Sequence, residues 1–74
     1  MNNKPWLASA KTKWGGIAAD HGLRIVDANY STITVELKDP QTNAFMQISK
    51  EVLRNTRDIT WPFRECAWRL KQNN

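Results

Sequence analysis

The sequence predicts an α+β fold: one helix, three strands, a short helix and a longer one, in the order α-β-β-β-α(α). Two patterns lead there. Residues 31–38, STITVELK, alternate apolar and polar side chains, the period of a strand with one buried face. By contrast, Trp6, Leu7, Ala10, Trp14, Ile17 and His21 recur at helical spacing, and so do Phe63, Cys66, Ala67 and Leu70. The expected product is a three-stranded, mostly antiparallel sheet with helices packed on one face. It forms a single compact domain over residues 1–74, frayed at residues 1–3 and 73–74.

The first helix is expected over residues 4–21. Pro5 suits a first turn, Asn3 a cap, and Gly22 a stop, because glycine enters the left-handed conformation without strain. Gly15 and Gly16 oppose this assignment, each costing a helix interior about 1 kcal/mol relative to alanine. Either the helix kinks or breaks there, or another backbone packs closely against it. Residues 23–28 (LRIVDA) are rich in β-branched side chains and read as a strand, with a turn over residues 27–31. In the second strand Ile33, Val35 and Leu37 face the core, while Thr32, Thr34, Glu36 and Lys38 face water. Residues 39–43 form a loop with Pro40 in a turn position. The third strand covers residues 44–48, with Ala44, Met46 and Ile48 inward and Phe45 on the open face near Arg24 or Val26. Ser49 caps a short helix that buries Val52 and Leu53. The residue before a proline is pushed out of helical geometry. Trp61 is therefore expected as the cap of the last helix and Pro62 as its first residue, with the end near Gln72.

A chain of 74 residues buries only about 60% of the surface it exposes when unfolded, so its core is marginal. The single cysteine excludes an intrachain disulfide. One histidine and one cysteine cannot supply the four ligands of a structural zinc site. Packing of the four tryptophans, or self-association, is left to stabilise the fold. No apolar run approaches the ~20 residues of a membrane span, and residues 1–13 hold no apolar signal core. With a lone cysteine, this places the chain in a cytoplasm, bacterial or phage-encoded. There is no phosphate-cradling glycine loop or nucleophile elbow, and the carboxylates are scattered. No enzyme and no cofactor are expected. Cys66 falls on a core stripe and reads as a small buried hydrophobe. The competing reading, a Cys66–His21 nucleophile pair, has no supporting spacing. His21 closes the first helix, beside the negative end of its dipole.

Charge is distributed unevenly. Residues 1–24 carry four cations against one acid, residues 25–49 one against three, and residues 50–74 six against three. Basic ends around an acidic middle suggest an anionic partner met by the terminal segments. On the last helix Trp68 lies opposite the core stripe, with Arg64 a turn before it, Lys71 nearly a turn after, and Trp61 on the same side. Tryptophan and arginine are enriched at binding hot spots, and rings with cations also suit bases and phosphates. The alternative is that the first helix covers Trp68. Lys50, Arg54 and Arg57, at i, i+4 and i+7, would extend the basic face if the short helix reaches that far; otherwise they simply face water. Phe45 and Arg24 form a weaker candidate surface on the sheet.

The element order is similar to that of double-stranded-RNA-binding domains in topology alone. Those domains lead into the last helix with a basic, glycine-containing segment, where this chain has RDITWPFRE. No family is assigned, and three strands in mid-chain argue against a helix-turn-helix reader. Two function classes remain. One is a nucleic-acid-binding protein using the basic helices and the tryptophan face, with affinity that falls with salt. The other is a protein-binding modulator or inhibitor, of the kind phages use, docking on a larger complex through Trp61, Arg64 and Trp68. Homodimerisation is compatible with both.

Overall fold

The structure, a computed structural model, describes residues 4–38 and 44–72. The expected Asn3 cap, the Pro40 loop and the frayed ends lie outside the described residues. The elements follow in the order α1 (Lys4–Asp20), β1 (Leu23–Ala28), β2 (Thr32–Leu37), β3 (Met46–Ser49), α2 (Lys50–Asn55) and α3 (Thr60–Gln72). The strands form one antiparallel sheet in the order β1-β2-β3. Helices α1 and α3 supply the layer that buries it. The result is a slab of 31 × 30 × 17 Å, thin in one direction because, among the described residues, one sheet face has no helix over it. The α+β order read from the sequence is therefore the order observed.

Strand β2 is the centre. Ile33 pairs with Ala28 on one side and Ile48 on the other, and Val35 with Ile25 and Met46. Ile33, Val35 and Leu37 are fully buried, as alternation requires. The turn into β2 is held by Asn29, whose side-chain oxygen accepts from the N–H groups of Ser31 and Thr32, each at 2.8 Å. Glu36 departs from expectation: it lies on the open face yet is only 6% exposed. The β1–β2 register sets Arg24 directly opposite, and Arg24 Nη2 stands 2.7 Å from Glu36 Oε1. A cross-strand cation covers the carboxylate that the pattern alone would leave wet.

Helix α1 runs unbroken through Gly15 and Gly16. The helix does not break at the glycines, and no other backbone packs closely against them. A Cβ at Gly16 would meet nothing within 4 Å, and one at Gly15 would meet only Lys11 Cβ at 3.9 Å. The buried stripe is Ala10, Trp14 and Ala18; Leu7, Ile17 and His21 are half-buried, and Trp6 is exposed. Gly22 ends the helix with φ +73°, and its carbonyl accepts from Lys38 N–H.

Ser49 caps α2 as expected, its hydroxyl accepting from Glu51 N–H. Only Leu53 of the Val52–Leu53 pair is buried, and Val52 is exposed. Six residues of helix offer one narrow inward face, which Leu53 shares with Lys50. Helix α3 begins at Thr60, before the predicted Trp61–Pro62 start. The Asp58 carboxylate accepts from Thr60 N–H and from its hydroxyl, fixing the start earlier. Pro62 is still tolerated, because a first-turn N–H has no intrahelical partner to lose. Phe63, Cys66, Ala67 and Leu70 then enter the core, as their spacing predicts.

Candidate functional site

The outer surface of α3 is a ridge with a groove on either flank, and the predicted binding residues divide between the two. Trp68 is 59% exposed, so α1 does not cover it. Arg64 and Lys71 are exposed beside it. These three line an open groove of about 480 Å³ with Asp20, His21 and Gly22 from the end of α1. Arg64 reaches a carboxylate only at 3.6 Å, to Asp58 Oδ2, in an exposed pair of little energetic weight. His21 Nδ1 is 2.9 Å from the Ile17 carbonyl. A carbonyl only accepts, so Nδ1 carries the hydrogen and Nε2 is the ring nitrogen left for a ligand. The imidazole thus satisfies a C-terminal carbonyl of α1.

Trp61 lines the other flank. A smaller groove of about 180 Å³ lies between α3 and the outer side of β3, bordered by Met46, Ser49, Val52, Trp61, Glu65 and Arg69. Arg69 Nε donates to Glu65 Oε1 at 2.9 Å, one turn apart, so this flank carries balanced charge. The helical wheel places Trp61 and Trp68 on one side, but the elements beside them differ: β3 and α2 for Trp61, the end of α1 for Trp68.

The basic stripe Lys50, Arg54, Arg57 does not form. Helix α2 ends at Asn55, so Arg57 lies beyond it. Lys50 is 5% exposed, with its ammonium 4.8 Å from the centre of the Trp6 ring. Burial pulls the Lys50 pKa below its ordinary 10.5, and the nearby Arg54 and Lys13 charges add to the shift. Its cation is used inside the fold, in a cation–π contact. Arg54 and Arg57 are exposed. On the sheet, Phe45 is 54% exposed, but Arg24 is engaged with Glu36.

Cys66 is buried, and that burial raises its thiol pKa, which disfavours the thiolate a nucleophile needs. It borders the Trp61 groove and His21 the Trp68 groove, so α3 separates them. Among the described residues no cluster of three His, Cys, Asp or Glu side chains is placed to hold a metal. Among them, too, no helix is long and apolar enough to cross a membrane. Sequence reasoning missed Asp20 as a neighbour of Trp68, and Met46 and Val52 as neighbours of Trp61. These contacts join distant segments, and no spacing signal announces them. No known family, curated protein or solved structure matches this chain.

Proposed function

We propose that this is a non-catalytic binding protein that engages nucleic acid through the Arg64, Trp68 and Lys71 flank of α3. The observation that carries this reading is Trp68, a large ring 59% exposed with a cation about one turn to either side. An exposed indole offers a stacking platform for an unpaired base, a contact worth about 1–3 kcal/mol. Arg64 and Lys71 stand where the flanking phosphates of a single strand would run. The surroundings favour the same ligand. The cations of the basic terminal segments belong mainly to α1, α2 and α3, and so lie on the helix layer. Asp20 adds an acceptor at the groove's edge, suited to a base amino group rather than to a phosphate.

The test is tryptophan fluorescence during titration with a mixed-sequence single-stranded oligonucleotide, at low and at moderate salt. Wild type should be quenched, Trp68→Phe much less, and the affinity should fall as salt rises. Arg64→Ala and Lys71→Ala should each reduce the slope of log K against log salt by about one contact, roughly 0.7 for a single strand. Trp68→Ala should leave thermal stability within about 0.5 kcal/mol, since the ring is on the surface. Absence of Trp68-dependent quenching at low salt would sink the nucleic-acid reading. A salt-insensitive complex with a protein, lost in Trp68→Ala, would put a protein partner in its place.

A further inference from the structure

The two edges of the sheet are built differently. Strand β1 carries the charged Arg24 and Asp27, and its ladder is interrupted by a bulge between Ile25 and Asp27. Charges and bulges are devices that stop an edge from recruiting another strand. Strand β3 reads MQIS, with no charge, no proline and no bulge in its pairing. Its backbone direction follows from one hydrogen bond. Lys50 N–H donates to Ser31 C=O at 2.8 Å, so alternation turns Ile48 and Met46 toward β2 and Gln47 outward. Among the described residues no strand pairs with that outer side. Beside it stand Trp61, 43% exposed, and Val52, 40% exposed, with Phe45 just before the strand. An unprotected edge next to an apolar groove is a template for strand addition.

We propose that the occupant is a second copy of this chain, β3 pairing antiparallel with β3 across a two-fold axis to give one continuous sheet. Charge favours a copy over another partner. The α3 flank above the groove presents one acid and one base, Glu65 and Arg69, an exposed pair joined within the chain at 2.9 Å that two copies can exchange for two pairs across the axis. A two-fold that sets Glu65 against Arg69 of the second copy also sets Arg69 against its Glu65, so the patch complements itself. The Gln47 amide and carbonyl gain partners on the other β3, and Trp61 and Val52 are covered by the same contact. Four residues of strand fall short of the roughly 1,200 Å² that a specific interface buries, so the α3 flank is a necessary part of it. This interface is separate from the Trp68 groove and does not depend on nucleic acid.

Sedimentation equilibrium without nucleic acid, from micromolar to near-millimolar protein, tests it. Wild type should reach twice the 8.6 kDa chain mass. Glu65→Arg and Arg69→Glu should each remain at 8.6 kDa, and an equimolar mixture of the two should regain the dimer. Val52→Lys, an exposed position where misfolding is not expected, should also be monomeric, with circular dichroism confirming its fold. Wild type fixed at the single-chain mass would overturn the proposal. So would a dimer that survives all three substitutions, or a mixture that stays monomeric.

Discussion

Asp58 starts α3, and it does so with a titrating group. Its carboxylate accepts from the Thr60 hydroxyl and the Thr60 N–H, and these bonds, the hydroxyl foremost, hold its pKa below the ordinary 3.8. Desolvation works against them, and Arg64 assists. A carboxyl whose folded pKa is depressed contributes stability that is complete above its unfolded value. That stability is lost as pH falls through the folded value. Asp58→Asn keeps an oxygen for both bonds but removes the titration. Urea unfolding should therefore show wild type more stable than Asp58→Asn near neutral pH, with the difference shrinking as pH falls below the ordinary 3.8 and wild type loses its cap advantage. A constant difference across the acid range would show that the Asp58 charge is not what caps the helix. Single residues were also where the sequence was hardest to interpret. Lys50, spaced with Arg54 and Arg57, has the pattern of a solvated cation, and its contact with Trp6 belongs to tertiary structure. Glu36 has the pattern of a wet strand position until the register puts Arg24 across from it.

At the scale of elements, α1 carries an avoidable cost. Gly15 and Gly16 lie inside a continuous helix, and nothing crowds the missing side chain at Gly16. Gly16→Ala should stabilise by about 0.5–1 kcal/mol, through helix propensity and a less disordered unfolded chain. In a domain this small that raises Tm by about 2–8 °C in a thermal melt. A fall in Tm would mean that the glycine has a role outside the folded contacts. Here the sequence was informative wherever one face decides the matter. Alternation in β2 and the stripe Phe63, Cys66, Ala67 and Leu70 in α3 both reach the core as their periods require. The exposed side of α3 was legible as rich in tryptophan and cations. Its division into two grooves was not, because a helical wheel describes one helix and says nothing of its neighbours. The same limit explains Val52, which is apolar like Leu53 yet faces the groove beside Trp61.

The whole molecule is a slab with a sheet on one side and helices on the other. The basic–acidic–basic order along the chain becomes a difference between these layers. Strands β2 and β3 and most of β1 lie in the acidic middle of the sequence and the helices lie in its basic ends, while Arg24 of the basic first segment belongs to β1. That much of the electrostatics was legible from position alone. Layering also sets the order in which the molecule opens. Among the described residues, strand β2 alone has a hydrogen-bonded neighbour on each side, whereas β1 and β3 each have one. Local opening begins where buried contacts and paired backbone are fewest. Hydrogen–deuterium exchange should thus be slowest in β2, at Ile33 and Val35, and faster toward both edges. Gln47 is a built-in reporter in that gradient. Its amide points away from β2 and, among the described residues, meets no other strand, so a lone chain leaves it open to exchange. Slowed exchange at Gln47 with rising protein concentration, while Ile33 stays unchanged, would register one sheet continuing into the next.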